Sequence, residues 1–425
     1  MNTTSKPLGL WTAIALVVGS MIGSGVFLLP ATLASYGAAS LLGWGLTLFG
    51  ALLLALVYSW LAKKITRTGG SYAYAHEAFG PATGFFVAWS NWTSMWTGNA
   101  ALAVAFAGSL GAVFPEATST PIRAAVCALS GLWFCTIVNC TGIRKAGHMQ
   151  LVTTLLKVVP LLLFGIVGLA YVEIDSYQPF NPSNEDLFSV ATATAAITLW
   201  AFLGFEAATI PSASIKDPAR TVPRATIIGM LIAGIATMLT CTVVLGLLPS
   251  DVLVKSAAPM ADAATRLWGS SAGLAVAIVA TISCFGALNG WVLLQGQIPL
   301  AAANDKLFPS VFARVDSRNT PVTGLLISST LATVIVLSNY SHSLIQLFAF
   351  SILLSTAANL LPYAVSVAGW IKMNQQASPL KLAIAGLALL YALWALKGTG
   401  SEALIWGGVL LLGGVPVYLY QRYKS

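Results

Sequence analysis

The sequence predicts an all-α polytopic membrane protein. Hydrophobic residues make up 57% of the 425 residues and charged residues only 8%, and the mean hydropathy is +0.83. A soluble domain of this length needs far more charge to cover its surface. Apolar runs of about 18 residues or more recur along the whole chain, and each is long enough to cross a hydrocarbon core of about 30 Å as a helix.

Charged and Pro/Gly-rich stretches divide these runs into twelve predicted transmembrane helices. The helices begin near Leu10, Ser40, Ala82, Ile122, Met149, Leu187, Ala225, Ser271, Pro321, Ser343, Leu380 and Ala403. An even number of spans places both termini on one side of the membrane. No small-residue cleavage site follows the first apolar run, so we expect the first span to be retained.

The basic residues predict the orientation of the chain. Of the 21 lysines and arginines, Arg123, Lys255, Arg266 and Lys397 fall on the side opposite the termini, Lys157 lies inside a span, and all the others fall on the side of the termini. Because positive charge marks cytoplasmic loops, both termini are predicted to be cytoplasmic. The charges are spread over separate loops and tails, which disfavours a nucleic-acid or polybasic lipid site.

The five cysteines give no sign of a disulfide framework or a zinc site. Cys127, Cys135, Cys140, Cys241 and Cys284 lie in apolar segments without paired ligand spacings, so we interpret them as packing residues. No cofactor is implied by any motif.

The first predicted span contains a sequence that breaks helices. Residues 19–30 read GSMIGSGVFLLP, with a Gly-Ser-Gly unit at 23–25. An interrupted helix leaves backbone donors and acceptors unpaired at membrane depth, where only protein or a water-filled cavity can satisfy them. The alternative is helix–helix packing through small residues, a common use of glycine in membranes.

A second break is predicted in the sixth span, which carries a buried acid. Glu206 lies between Gly204 and Pro211, and the apolar segment from 187 to 215 is longer than the roughly 20 residues needed to cross. Lys157 is the basic residue inside a span. The alternative to a functional role is that its side chain snorkels to the interface, although the residue lies well inward from the cytoplasmic end of its span. Each charge is costly in lipid without a partner, a cavity or a neutral form.

Breaks in the first and sixth spans are those that an inverted repeat of five spans against five places in equivalent positions. We therefore expect a first repeat over residues 8–172, a second over 187–370, and two further helices over 379–421. Free N–H groups at a half-helix N-terminus suit an anion, and unwound carbonyls suit a cation. An amino acid carries both charges on one carbon.

Five stretches resemble one known family: GSMIGSGVFLLPA, GGSYAYAHEAFGP, TLWAFLGFEAA, KDPARTVPRATIIG and AANDKLFPSVFARV. They are similar to the amino acid-polyamine-organocation (APC) superfamily, and particularly to the bacterial basic amino acid/polyamine antiporters such as the arginine–agmatine exchangers. The resemblance runs from about residue 8 to the C-terminus. It implies a LeuT-like fold and a secondary transporter in the bacterial inner membrane that works by alternating access. Relatives are often homodimers, although no residue in the sequence defines an interface.

The resemblance also assigns roles to individual residues. It implies that Ser24 and the Gly25 N–H hold a substrate carboxylate, and that the carbonyls of Met21, Trp200 and Leu203 take the α-ammonium. It further implies that Asn99 contacts the substrate, that Trp200 closes over its side chain and that Trp291 lines the pocket floor. Indole faces can bind a guanidinium or ammonium with about 2 kcal/mol when desolvated. Without the resemblance, each tryptophan reads as a packing aromatic.

Four more residues are assigned to coupling and gating. The resemblance implies that Glu206 serves polyamine handling and proton linkage and that Tyr72 serves acid sensing, although a lone tyrosine near an interface is usually an aromatic-belt residue. Asn91 replaces a tyrosine of the outer gate. Lys157 resembles the lysine that, in other branches, occupies the second sodium position, either as a fixed cation or as a group that loses its proton.

The predicted function is exchange of a cationic amino acid, of the arginine, lysine or ornithine type, for its amine or another amino acid. Proton-coupled uptake of neutral or mixed amino acids is the alternative. An intramembrane enzyme is disfavoured because no histidine is well placed beside Ser24, and an ATP-driven pump because the chain contains no Gly-Lys dipeptide for a P-loop. A passive channel stays open from composition alone.

Overall fold

The computed structural model describes residues 8–338 and 344–424, and within them the fold is built from helices. The α-helices are α1 (Leu10–Met21), α2 (Ser24–Leu33), α3 (Ser40–Lys64), α4 (Ser71–Phe79), α5 (Pro81–Val113), α6 (Pro121–Cys140), α7 (Ile143–Gly168), α8 (Leu187–Leu199), α9 (Pro218–Leu247), α10 (Ser250–Leu253), α11 (Pro259–Trp268), α12 (Ser270–Asn304), α13 (Val322–Ser338), α14 (Leu344–Met373), α15 (Pro379–Gly398), α16 (Gly400–Leu412) and α17 (Gly414–Lys424).

The helices have the lengths and composition of membrane spans. In the described part of the chain, nine helical runs are long and apolar enough to cross a membrane, and Leu187–Phe202 and Val322–Ser338 are shorter apolar helices. One of the nine runs, Leu10–Lys64, contains both the first and the second predicted span. An all-α polytopic membrane protein is therefore confirmed, whereas the count of twelve spans and the inverted repeat stay predictions.

The helix boundaries differ from the predicted spans where charged residues continue a helix. The helices α7 and α9 begin at Ile143 and Pro218, several residues before the predicted starts at Met149 and Ala225. Hydropathy marks the part of a helix that lies in lipid, and the helix itself extends into polar surroundings. The predicted start at Ser343 lies outside the described residues.

The inner helices pack against one another, and the outer helices present an apolar surface. The long helix α5 packs against α12 and α14, and α9 packs against α1 and α3. In contrast, α7 exposes Leu155, Val159 and Ile166 by 56–64% of their surface. Such an apolar outer face suits contact with acyl chains.

The first span is interrupted, as predicted. After α1 ends at Met21, Ile22 is extended (φ −80°, ψ 97°) and Gly23 adopts φ −141°, ψ −126°, and α2 begins at Ser24. The chain just before α1 pairs with the end of the sixth segment, because Leu8 N donates to Ser214 O (2.9 Å) and Lys216 N donates to Leu8 O (2.9 Å). The two interrupted segments therefore lie side by side.

The sixth segment is interrupted where the break was predicted, but no α-helix resumes before the segment ends. The helix α8 ends at Leu199 and is followed by short 3₁₀ turns at Trp200–Phe202, Ala207–Thr209 and Ser212–Ser214 instead of a second α-helix. The hydroxyls of Thr209 and Ser212 donate to the carbonyls of Glu206 and Thr209, both at 2.7 Å. Such side-chain bonds to the local backbone compete with helix formation.

Candidate functional site

The break between α1 and α2 exposes backbone groups of both signs. The N-terminus of α2 has no side-chain cap, so its first amides are free to bind an anion. At the end of α1, the carbonyls of Gly19 and Ile22 accept hydrogen bonds from the side chain of Lys157. Ser24 and Gly25, the residues predicted to hold a carboxylate, are the first two residues of α2.

A glycine of the sixth segment makes the close approach between the two breaks possible. Gly204 adopts φ +105°, a conformation that strongly favours glycine. A β-carbon at this position would lie 3.0 Å from Cβ of Ser20 and 3.3 Å from N of Met21. Only glycine therefore brings the unwound chain this close to the end of α1.

Five of the predicted substrate residues surround one cavity. The cavity is lined by Ser20, Met21, Gly23, Ser24, Leu102, Trp200, Leu203 and Trp291. Its volume is about 10 Å³, which is about the room that one water needs. The cavity is therefore closed, with its walls in contact, and it is too small for an amino acid.

The two tryptophans of this cavity are held by hydrogen bonds to the first span. Trp200 Nε1 donates to Ser24 Oγ (3.1 Å), and Trp291 Nε1 donates to the carbonyl of Ser20 (2.9 Å). Trp200 also meets the ring of Phe348 edge-on at 6.5 Å between centroids. The indole of Trp200 thus covers the residues that begin α2.

Asn99 lies beside the cavity without lining it. It is fully buried, and its Nδ2 donates to Gln295 Oε1 (2.7 Å), while Gln295 Nε2 donates to Ser329 Oγ (2.9 Å). Within the described residues, Asn99 Oδ1 accepts no hydrogen bond. Its predicted contact with substrate stays a prediction, and Gln295, which the sequence analysis missed, is its structural partner.

Lys157 binds the end of α1. The side chain is fully buried, and its Nζ donates to the carbonyl of Gly19 (2.6 Å) and to that of Ile22 at very short range. A cation at a helix C-terminus satisfies carbonyls that the interrupted helix leaves unpaired. Because the side chain ends on these carbonyls, it does not snorkel to an interface.

Glu206 is buried among neutral hydrogen-bond donors. Its Oε2 accepts from the Gly204 N–H (3.1 Å) and the Tyr363 hydroxyl (2.8 Å), and its Oε1 accepts from Asn359 Nδ2 (3.2 Å). The residue is 1% exposed. The ion pairs among the described residues are Arg67–Asp305 and Arg123–Glu116, so Glu206 has no cationic partner there.

Asn91 connects to this carboxylate through a second amide. Its Nδ2 donates to Asn359 Oδ1 (2.7 Å), and Asn359 contacts Glu206. Asn359 and Tyr363 were not predicted as site residues. Their signal in the sequence is weak, since one polar residue in an apolar span is common and its partner lies far away in the chain.

Tyr72 lies in a separate polar cluster at the ends of α3 and α12. Its hydroxyl donates to Asp305 Oδ2 at very short range, and Arg67 pairs with the same oxygen (2.9 Å) and donates to His76 Nδ1 (2.8 Å). Burial, together with the Asp305 carboxylate, raises the pKa of Tyr72. The Tyr72 hydroxyl therefore stays protonated in the acid range.

The fold defines a multi-pass membrane protein, and the family to which it belongs is one of transport proteins rather than enzymes. A sequence profile of the family described as "Amino acid permease" matches residues 8–403. The chain belongs to this family, and with it to the APC superfamily.

Three relatives show which proteins the chain is similar to. It is 28% identical to the putrescine transporter PotE of Haemophilus influenzae, over 100% of this chain and 99% of the relative. It is 33% identical to the cadaverine/lysine antiporter of Escherichia coli, over 79% of this chain and 75% of the relative. The putrescine transporter PotE of Escherichia coli is 28% identical, over 97% and 96% of the two chains.

Proposed function

We propose that the protein exchanges a cationic amino acid, of the arginine, lysine or ornithine type, for its amine or another amino acid. The observation that carries this proposal is the buried carboxylate of Glu206, which has only neutral donors and lies three residues after the cavity-lining Leu203. A buried carboxylate without a fixed cation can attract the second positive charge of a substrate, and no existing ion pair has to be separated first. The printed names of the relatives, putrescine transporter and cadaverine/lysine antiporter, support substrates of this kind.

The two ends of an amino acid would bind at different backbone groups. Ser24 and the Gly25 N–H hold the carboxylate at the uncapped N-terminus of α2. The carbonyls of Met21, Trp200 and Leu203 take the α-ammonium. These assignments agree with the lining of the closed cavity, and an amine without a carboxylate would use only the cationic half.

Trp200 and Trp291 would hold the side chain of the substrate. Their indole nitrogens already donate to Ser24 and Ser20, which orients the rings on either side of the cavity. A cation over a desolvated indole gains about 2 kcal/mol. Asn99 joins the site when the cavity widens, since its free Oδ1 can accept from a substrate donor.

Transport would proceed by alternating access, with the repeat of residues 8–172 moving against that of residues 187–370. The helices after 379 complete a bundle of twelve spans in the bacterial inner membrane, with both termini cytoplasmic. The side-by-side breaks support this arrangement, because transporters of this kind bind substrate where the two repeats meet.

Lys157 favours a second candidate, proton-coupled uptake of neutral or mixed amino acids. Its ammonium holds the carbonyls of Gly19 and Ile22 across the break of the first span. If Lys157 loses its proton during the cycle, these contacts weaken and the break can rearrange. In that case proton movement replaces the counter-substrate.

Uptake into proteoliposomes tests the two candidates. Labelled arginine, lysine and putrescine are supplied outside vesicles preloaded with arginine, agmatine, putrescine, alanine or buffer. Exchange predicts uptake only with a cationic counter-substrate inside. Uptake into empty vesicles that depends on an inward proton gradient and is competed by alanine would contradict exchange. Release of preloaded substrate whether or not substrate is present outside would indicate a channel.

A further inference from the structure

A polar seam joins α5 to α14 beside the unwound sixth segment. Ser90 Oγ donates to the carbonyl of Ala358 (2.6 Å), and Ser94 Oγ donates to that of Ser355 (2.8 Å). Next to these two contacts, Asn91 and Asn359 form a direct amide–amide hydrogen bond. Both asparagines are nearly fully buried, at 2% and 1% exposure. The seam therefore places a pair of amides at membrane depth, where a polar pair is retained only with its hydrogen bonds made.

The chemistry of Glu206 determines which way the Asn359 amide points. An ionised carboxylate only accepts hydrogen bonds, and the single hydrogen of the Tyr363 hydroxyl is donated to Glu206. Asn359 must then present its NH₂ group to this side, where it donates to Glu206 (3.2 Å) and to the Tyr363 oxygen (2.8 Å). Its Oδ1 is consequently turned to α5, where Asn91 Nδ2 donates to it.

We propose that Asn359 and Asn91 are positioning residues for the Glu206 carboxylate. Asn359 holds one carboxylate oxygen in place, and Asn91 locks the Asn359 amide in the orientation that does so. The two residues act through Glu206 and set how well that carboxylate receives the distal ammonium of a diamine. This inference rests on the proposed function, in which Glu206 binds substrate cations.

The hydrogen bonds from Asn91 through Asn359 to Glu206 form a relay. This relay also links the protonation state of Glu206 to the contact between α5 and α14. A carboxylate that receives a substrate ammonium can keep the Asn359 donor, because its two oxygens have further lone pairs. A protonated Glu206 can donate as well as accept, so the requirement that fixed the Asn359 amide orientation is then lost. The protonation of Glu206 is therefore felt on α5 through Asn91.

Three variants test the relay. Asn359→Leu removes the donor at every pH, and Asn91→Leu keeps Asn359 but removes the group that orients it. Asn359→Asp keeps the size of the side chain, but it can donate to Glu206 only while the two carboxyl groups share a proton.

The chain offers a matched control in another buried amide pair. Asn139 Nδ2 donates to Asn289 Oδ1 (2.9 Å) between α6 and α12, and both residues are buried. Asn139→Leu and Asn139→Asp repeat the same chemical changes away from Glu206. A purely structural role predicts equal effects at the two pairs.

The measurement is the KM and maximal rate of putrescine and of arginine exchange in proteoliposomes between pH 5.5 and 8.5. Asn359→Leu should raise the putrescine KM by up to about tenfold, because the Glu206 carboxylate is then no longer fixed and has to be ordered when the substrate binds. Asn91→Leu should raise it less, in the same direction. Asn359→Asp should approach the wild-type KM as the pH falls and depart from it as the pH rises.

A double-mutant cycle with Glu206→Gln separates this inference from the proposed function. If Asn359 acts through Glu206, Asn359→Leu has no further effect on the putrescine KM in the Glu206→Gln background. Wild-type putrescine KM in Glu206→Gln alone would overturn the proposed role of Glu206. A raised KM in Glu206→Gln together with wild-type KM in Asn359→Leu, or equal effects of Asn139→Leu and Asn359→Leu, would overturn the positioning role and leave the exchange function intact.

Discussion

Replacing Lys157 with methionine tests whether its ammonium holds the interrupted first span together. In the wild type, Lys157 Nζ donates to the carbonyls of Gly19 and Ile22, and the side chain is fully buried. Methionine has a similar unbranched shape and fills an apolar environment well. The change therefore removes the charge and the donors while it keeps most of the packing.

The two lost hydrogen bonds determine how much the free energy of unfolding falls in Lys157→Met. A hydrogen bond from a charged group contributes about 1.5–3 kcal/mol, so two of them contribute about 3–6 kcal/mol. The removal of a buried charge returns part of this free energy, because the ammonium no longer has to be desolvated. We expect a net loss of about 2–4 kcal/mol in the free energy of unfolding, which corresponds to a drop of about 2–5 °C in melting temperature for a chain of 425 residues.

The buried cysteines make this drop measurable with a thiol-reactive dye in detergent. Cys135 and Cys241 are free thiols with 0% exposure, so they react only when the protein unfolds. Lys397→Met is the control, since Lys397 is exposed at the end of α15. Equal melting temperatures for the wild type and Lys157→Met would refute the view that the ammonium holds the break.

Transport by the same variant separates a fixed cation from a titrating one. A fixed cation predicts that Lys157→Met lowers the exchange rate by the same factor at every pH. A group that releases its proton during the cycle predicts that the pH dependence itself changes or disappears. The exchange rate between pH 5.5 and 8.5 in proteoliposomes distinguishes the two.

Three further variants test the site and its surroundings. Trp200→Leu should raise the KM for cationic substrates roughly thirtyfold, since about 2 kcal/mol of cation–indole attraction is lost, whereas the half-exposed Trp406→Leu should leave exchange kinetics unchanged. Gly204→Ala should destabilise the protein by at least about 1–2 kcal/mol, because alanine is strained at φ +105°; an unchanged melting temperature would contradict this. The pKa of Tyr72 is raised in the folded protein, so the wild type loses stability as the pH rises above about 10, the pKa of tyrosine in the unfolded chain. Tyr72→Phe has no such loss, so its stability should gain on that of the wild type only above about pH 10. If Tyr72 takes part in acid sensing through its bond to Asp305, the same variant should weaken the pH dependence of the exchange rate between pH 5 and 8.

The break in the first span could be predicted because its signal is local. Gly23 and Gly25 flank Ser24 in an apolar run, and glycine weakens a helix more than any residue except proline. For Lys157, the residues alone indicate that a buried cation needs a partner, and its place beside the first break was implied by the resemblance to other branches of the superfamily. In both cases the sequence by itself shows groups that need a hydrogen-bond or charge partner at membrane depth.

The course of the sixth segment could not be predicted in full. Gly204 and Pro211 indicated an interruption, but the sequence does not show that α-helix fails to resume after it. The hydroxyls of Thr209 and Ser212 bond to the nearby backbone and favour tight turns. The pairing of Leu8 with Ser214 and Lys216, which holds the end of the segment extended, joins residues about 200 positions apart.

The partners of the site residues depend even more on the fold. Asn359 lies 153 positions from Glu206 and 268 from Asn91, and Gln295 lies 196 positions from Asn99. Each is one amide in an apolar helix, and such residues also serve ordinary helix–helix contacts. Only the packing of α5 against α12 and α14 brings them to the site.

The two buried charges explain why these amides matter. Lys157 is satisfied by carbonyls at the first break and Glu206 by neutral donors at the sixth, and neither belongs to an ion pair among the described residues. A direct pair would neutralise both charges and leave little attraction for a charged substrate. Because each charge is held by dipoles instead, it keeps a net field at its own break. In the proposed exchange, a substrate cation can therefore reach Glu206 without first separating an ion pair, while the Lys157 ammonium continues to hold the end of α1.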